Sequence, residues 1–365
     1  MSPAIPETDI LQELGWDVFS SHVCVPSIPA DLFPARVAVQ HKNRHLLFSQ
    51  FGELRGELSG KLLYESSSEA DLPAVGDWVI AHPRPNDHAV TILELLPRKS
   101  KFSRQAAGNR TKEQIVAANV DVIFVVTSMD QEFSVRRLER YLLLAVESGA
   151  QPVVVLNKAD LCSAFGGYVD QVRKSAPAVP IHVISALGKE GVDEIRRHVP
   201  RGITGALLGS SGVGKSTIIN TLLGEERLRT GPVRSADDKG RHVTTHRELL
   251  LLPGGGLLID TPGMRELQLW GGETGIGETF PDILAMAEEC RFKDCAHEQE
   301  PGCAVQRAIE NGSLDTARYK SYQKLLREIA YHARRQDSSL DRAEKRRIKK
   351  TTSAHKRGYR KDLPG

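Results

Sequence analysis

Three short motifs stand in an unusual order along this chain, each directly after an apolar run. Asn157-Lys158-Ala159-Asp160 follows Val153–Leu156, and Gly209-Ser210-Ser211-Gly212-Val213-Gly214-Lys215-Ser216-Thr217 follows Ala206–Leu208. Asp260-Thr261-Pro262-Gly263 comes last, after Leu257–Ile259. Apolar runs alternating with helical stretches are the texture of a doubly wound α/β sheet, whose ligands bind beyond the carboxyl ends of its strands. The three motifs therefore constrain the fold together: one end of one parallel sheet must bring them to a common site.

Each spacing suits a chemical task. In Gly209-x4-Gly214-Lys215-Ser216 the glycines let backbone N–H groups wrap phosphates, Lys215 reaches the β/γ oxygens and Ser216 ligates Mg²⁺. Asp160 can accept from guanine N1–H and N2–H₂, an arrangement adenine lacks; Asn157 can meet O6 or N7, and the Lys158 stem can cover the ring. Ser185-Ala186-Leu187, after the run Ile181–Ile184, offers a backbone N–H for guanine O6, and with Asn157–Asp160 it favours GTP over ATP. Asp260 is placed to hold Mg²⁺ through water, and the Gly263 amide to sense a γ-phosphate. GTPases ordinarily run phosphate loop, switch, base; here the base motif has moved to the front, as in a circular permutation.

Lys239-Gly240-Arg241-His242-Val243-Thr244-Thr245 lies where a mobile switch belongs. Thr244 or Thr245 is the expected Mg²⁺ ligand, with the choice open; the other reading of the pair is the start of a strand. Met264 stands where many GTPases carry a water-orienting glutamine, and a thioether cannot orient water. His242 is the local candidate for that task, with a bystander imidazole as the alternative.

Cys290-x4-Cys295-x-His297-x5-Cys303 offers three thiols and an imidazole in one compact run. It is expected to form a closed, structural zinc site, one per chain; unligated thiols or a redox pair are the other readings. The remaining two of the five cysteines, Cys24 and Cys162, read as packing residues, and such usage fits a reduced, cytoplasmic setting. No apolar run approaches the roughly 20 residues of a membrane span. The segment from Met1 to Asp9 has no signal-peptide pattern, an expectation against export. The net charge of +3 conceals a tail in which Arg342 to Lys361 holds ten Lys/Arg residues and one acid, Glu344; the rest of the chain is net acidic. A polyanion partner is expected for that tail, against an idle solvated terminus.

A chain of 365 residues with 40% apolar content has room for two or three domains. Residues 1–32 read as an extension with one amphipathic stretch, Ile10–Leu14. Residues 33–98 hold five alternating segments, Ala35–Gln40, His45–Ser49, Gly56–Leu63, Gly76–Ala81 and Ala89–Leu96, which suit a small β-barrel of OB or SH3-like type. Arg98 to Arg110 reads as a basic linker into an α/β domain over 99–269, with a helix at Arg136–Ser148. A zinc-binding helical domain over 270–335, with helical spacing at Ala317–Ala330, and a basic tail over 336–365 complete the division.

The ordered set Asn157–Asp160, Ser185–Leu187, Gly209–Ser216, the His242 to Thr245 switch, Asp260–Gly263 and Cys290–Cys303, behind a small barrel, resembles the RsgA (YjeQ) family over about Phe33 to Ala330. The resemblance implies an N-terminal OB-fold, a central circularly permuted P-loop GTPase domain and a C-terminal zinc-binding domain. It implies a monomeric GTP/GDP-binding protein acting in late maturation of the 30S subunit, on 16S rRNA, with hydrolysis stimulated by that subunit. It also implicates His242 in hydrolysis and makes the position of Met264 apolar. The switch departs from the family's three consecutive threonines, since Val243 takes the first place. Two other readings remain open: a permuted GTPase of another ribosomal particle, and an RNA-binding protein whose nucleotide is only structural.

Overall fold

The structure, a computed structural model, describes residues 7–41, 44–84, 89–105, 113–228, 247–260, 274–298 and 300–336. His242, Thr244, Thr245, Gly263, Met264 and the basic tail lie outside the described residues.

Two short helices, α1 (Glu7–Glu13) and α2 (Trp16–Ser20), precede strands β1 (Phe33–Gln40), β2 (His45–Ser49) and β3 (Gly52–Leu58). Helix α3 (Gly60–Glu65) then leads to β4 (Trp78–Pro83) and β5 (Ala89–Leu95). Pairing runs β1–β2–β3–β5–β4 and returns to β1, antiparallel throughout except for β3 with β5. Five strands closed in that order, with a helix between the third and fourth, form an OB-type barrel, which resolves the choice that composition leaves open. Val37, Leu47, Val79, Val90 and Ile92 fill its interior. The segment Gly56–Leu63, expected as one strand, divides: β3 ends at Leu58 because the Ser59 hydroxyl accepts from the Leu62 amide at 3.1 Å and caps α3.

The N-terminal segment is not a loose extension. Leu14 and Phe19 are buried, and the Trp16 ring meets Trp78 of β4 edge-on with centroids 4.9 Å apart. Gly15 has φ of +84°, and a Cβ there would lie 2.3 Å from the Gly202 carbonyl oxygen, so only glycine allows the approach. Cys24, expected in packing, is exposed. The expected linker is also structured. Lys101–Gln105 forms β6, antiparallel to β7 (Glu113–Ala118), and buries Phe102.

The α/β domain comprises β8 (Val122–Ser128), α4 (Val135–Ser148), β9 (Gln151–Asn157), α5 (Gly166–Ser175), β10 (Ile181–Val183), α6 (Val192–Arg197), β11 (Thr204–Leu208), α7 (Lys215–Leu223), β12 (Glu248–Leu251) and β13 (Leu257–Asp260). Their order in the sheet is β10-β9-β8-β11-β13-β12, parallel except for β12. The chain moves outward from β8 to β10 and returns to β11 on the other side of β8. That reversal opens a crevice beyond the carboxyl ends of β8 and β11. Alternate side chains serve opposite faces: Ile123 and Val125 pack with α4, whereas Val122, Phe124 and Val126 pack with α6 and α7. Barrel and sheet meet where Val39 of β1 pairs with Glu248 of β12.

The chain continues through α8 (Thr274–Thr279), α9 (Pro281–Glu288), α10 (Ala304–Glu310) and α11 (Thr316–Gln336). Arg318 of α11 fixes this module to α4. Its guanidinium donates to Glu139 at 2.8 Å, Asp282 at 2.7 Å and the Thr279 carbonyl at 3.1 Å, and lies 4.8 Å over the Phe280 ring. Among the described residues no helix is long and apolar enough to cross a membrane.

Arg36 of β1 is buried where the N-terminal segment, barrel and α/β domain meet. It donates to the carbonyls of Leu14, Gly76 and Asn119 and, at 2.8 Å, to the Thr204 hydroxyl. Arg36→Met strands those acceptors and is expected to cost about 3 kcal/mol or more. Denaturant unfolding reads the loss, and limited proteolysis should cut residues 7–20 sooner; wild-type behaviour in both assays refutes the role.

Candidate functional site

The base motif and the phosphate loop converge as their strands dictate, and Asp260 ends its strand within the field of Lys215; Thr261, Pro262 and Gly263 lie outside the described residues. The Asn157 side chain closes the gap between the first two. Asn157 ends β9 and is buried; its Nδ2 donates to the Val213 carbonyl at 2.8 Å, and its Oδ1 accepts from the Ala186 amide at 3.0 Å. One amide thus ties the base motif to the phosphate loop and to the Ser185–Leu187 turn. The tie leaves no room for a side chain at position 214: Gly214 has φ of +98°, and a Cβ would stand 2.2 Å from Asn157 Nδ2.

Asp160 and Ser185 meet directly, the Ser185 hydroxyl donating to Asp160 Oδ1 at 2.5 Å and accepting from the Gly188 amide at 3.0 Å. The Ala186 N–H is engaged by Asn157. Leu187, whose side chain is 79% exposed, presents the next N–H of the turn. Ala159 lies in a short 3₁₀ turn that carries Asp160.

In the phosphate loop, Gly209 leaves β11 against the Val126 carbonyl, where a Cβ would come within 2.3 Å. Ser211 and Gly212 are exposed, Val213 is buried, and Ser216 and Thr217 occupy the first turn of α7. The Lys215 ammonium donates to the carbonyls of Gly209 at 2.9 Å and Ser210 at 2.6 Å, so it already lies over the loop. Asp260 ends β13 opposite Glu248. Burial, with Glu248 adding and Lys215 opposing, pushes its carboxyl up to about 6. A carboxylate so short of positive charge suits a cation nearby.

Two residues at this site escaped the motif reading. Asp130, just beyond β8, accepts from the Lys158 ammonium at 3.0 Å. Arg137, in the first turn of α4, donates to the Ser210 hydroxyl at 2.8 Å. The only sequence signal for either is position, since each follows the carboxyl end of a strand beside a motif strand.

Away from this crevice, Cys290, Cys295, His297 and Cys303 do come together, with one ligand atom from each within 4.8 Å of every other. A tetrahedral cation with Zn–S of about 2.3 Å and Zn–N of about 2.0–2.1 Å sets its ligands about 3.5–3.8 Å apart. The Cys290–Cys303 sulfur distance is 3.9 Å, and His297 Nδ1 is 3.5 Å from each of those sulfurs. Backbone amides of Ala304 and Gln306 donate to the Cys290 and Cys303 sulfurs at 3.3 and 3.4 Å, as suits thiolates. His297 is held at φ of +57° by its carbonyl, which accepts from Gln306 Nε2 and, at 2.8 Å, from the Tyr319 hydroxyl of α11.

Known proteins are similar to this chain. The sequence profile of the RsgA GTPase family matches residues 95–270. A protein of Opitutus terrae named small ribosomal subunit biogenesis GTPase RsgA is 50% identical over 349 residues, covering 93% of this chain and 95% of its own. The crystal structure of YjeQ from Thermotoga maritima superposes with a TM-score of 0.59 at 26% identity, over 82% of this chain and 99% of that one. The circularly permuted GTPase YloQ has the same fold, with a TM-score of 0.59 at 23% identity over 82% of this chain and 96% of that one. With such identity along nearly the whole length, and with the fold of the solved relatives, the chain belongs to the RsgA family of circularly permuted GTPases.

Proposed function

We propose that this GTPase binds guanine nucleotide across the Asn157–Val213–Ala186 tie and acts on the 30S ribosomal subunit, from the cytoplasm and as a monomer, in its late maturation. The observation that carries the nucleotide reading is that tie, because it sets base-reading and phosphate-binding segments at a fixed separation before any ligand arrives. Asp160 accepts from guanine N1–H and N2–H₂, with the Ser185 hydroxyl holding one of its oxygens in place. Leu187 supplies the N–H for O6, and the second N–H of Asn157 Nδ2 faces N7. Lys215 exchanges its two carbonyl acceptors for β/γ phosphate oxygens, and the amides from Ser210 to Gly214 wrap the chain of phosphates.

Ser216, Asp260 and Thr244 or Thr245 would hold Mg²⁺, which neutralises phosphate charge when bound. Gly263 is assigned the γ-phosphate contact. His242 orients or deprotonates the attacking water, a task Met264 cannot perform. The four ligands Cys290, Cys295, His297 and Cys303 would hold one structural Zn²⁺, which braces the loop ahead of α10. The ribosomal assignment rests on the name of the Opitutus relative and on the basic tail, whose charge suits 16S rRNA. The working units follow as 33–98 for the barrel, 99–269 for the permuted GTPase domain, 270–335 for the zinc module and 336–365 for the tail. Residues 1–32 serve with the barrel.

Turnover of GTP with and without purified 30S subunits tests the central reading, and marked stimulation is expected. His242→Ala should lower the stimulated rate by about 10²-fold or more while GTP affinity stays near wild type. Stimulated rates within a few-fold of wild type would pass the role to another group, and a total lack of stimulation would remove the 30S assignment.

The Asp260 carboxyl sets a pH dependence. Its folded-state value of about 6 lies above the ordinary 3.8, so the acid form is favoured as pH falls, and a cation needs the ionised form. Mg²⁺-dependent tightening of GDP is therefore expected to fade as pH drops through about 6, and to be absent at every pH in Asp260→Asn. Fluorescent-nucleotide titrations from pH 5 to 8 measure it; a flat wild-type profile contradicts the assignment.

Elemental analysis of protein purified without chelator should find one zinc per chain. Cys295→Ser should lose most of it while retaining nucleotide binding, because hydroxyls are far poorer zinc ligands than thiolates. Metal-free wild-type protein would sink the site.

A further inference from the structure

Lys158 occupies an unusual position within its motif. Its backbone sits in the left-handed region with φ of +68°, which long side chains seldom adopt. The Leu161 amide donates to its carbonyl at 3.0 Å, locking that turn. Its ammonium crosses to the neighbouring strand end, where Asp130 accepts it at 3.0 Å.

Asp130 is itself fully engaged. Oδ2 takes Lys158, and Oδ1 accepts from the Ser128 hydroxyl at 2.8 Å and the Glu132 amide at 2.9 Å. Slight burial raises its carboxyl value, but the Lys158 ammonium, the Glu132 amide and the Ser128 hydroxyl outweigh that and hold it below the ordinary range. The carboxylate therefore stays ionised at neutral pH, and it cannot swing without breaking two local bonds. Both side chains are only about one-third exposed, at 33% for Asp130 and 29% for Lys158. Ser128 and Asn157 are register partners on β8 and β9, so Asp130 is carried by the strand that pairs with the base-reading one.

We propose that Asp130 is a positioning residue for guanine nucleotides: it stretches Lys158 by its ammonium so that the aliphatic stem is held as a ready platform for one face of the purine. This rests on the guanine-site reading above. A free lysine would lose its rotamer freedom when the base arrives, and a tethered one has lost it already. The stem meets the ring face and not its edge, so the gain does not depend on the exocyclic groups that tell guanine from hypoxanthine. Asp130 thus sets how long a purine nucleotide stays, whereas Asp160 sets which purine is chosen.

The test uses the full-length protein with GDP and IDP as probes, read by equilibrium titration and stopped-flow release. Asp130→Asn is expected to weaken both nucleotides by the same factor, about three- to tenfold, mainly through faster release, as fits a partly exposed ion pair acting through side-chain order. In a Lys158→Met background, where the stem remains but the ammonium is gone, Asp130→Asn should have no further effect. A residue that merely supported the fold would weaken binding in both backgrounds. Unchanged affinity, a loss confined to GDP, or an undiminished loss in the Lys158→Met background overturns the proposal. Asp160→Asn is measured alongside. If that variant also leaves GDP affinity intact, the guanine-site reading fails; if it weakens GDP while Asp130→Asn does not, only the role of Asp130 fails.

Discussion

Among the described residues the guanidinium of Arg36 has no carboxylate in direct contact, yet it is buried at the meeting point of three parts of the chain. Burial draws its value down to about 10, against the field of Asp121 and Asp77, and it remains charged at neutral pH. An isolated buried charge of that kind is costly unless its donors are all used. Here four of the five reach the carbonyls of Leu14, Gly76 and Asn119 and the Thr204 hydroxyl, with the Trp78 ring centroid 5.5 Å from the guanidinium carbon. Each acceptor belongs to a different segment, so the interaction is satisfied in one arrangement of those segments. Neighbouring pairs reinforce it. Arg98 grips buried Asp77 at 2.7 Å, and Asp121 joins Lys99 while accepting from the Thr204 amide at 2.8 Å. The barrel is therefore not an appendage on a tether but is set at a defined angle to the nucleotide crevice.

A second arginine performs the matching task at the other end of the chain. Arg318 is largely buried and holds Glu139 of α4 together with Asp282, and two residues earlier on α4 Arg137 reaches the phosphate loop at Ser210. The helix that abuts the phosphate loop is thus also the helix on which the module with the Cys₃His cluster rests. Tyr319, next to Arg318, holds the carbonyl of His297. The Cys₃His cluster and the phosphate loop are accordingly joined through contacts of α11 and α4.

Much of this was readable from the residues alone, for definable reasons. Glycine spacing in Gly209–Gly214 and thiol spacing in Cys290–Cys303 are short-range constraints, and so is the 3.6-residue periodicity that buries Leu138, Tyr141, Leu142 and Ala145 on α4. What escaped depended on partners remote in sequence. Arg36, inside an otherwise apolar strand, finds Thr204 across 168 positions, and nothing local marks it as buried. Gly56–Leu63 alternates like a strand, but a serine cap ends it early. The bond between Asn157 and Ala186 likewise joins residues 29 positions apart, so no local pattern shows it.

The eleven-stranded sheet has an unusual boundary. A sheet has two edges, and each exposes unpaired backbone groups that can recruit another chain. On one side this sheet passes from β12 into β1 and rolls into the closed barrel, which leaves little edge there. On the other side it ends at β10, only three residues long and directly preceded by Pro180. Rolling one border shut and shortening the other leaves little template for edge-to-edge aggregation, so the sheet that carries the nucleotide crevice is guarded against self-association by its own topology.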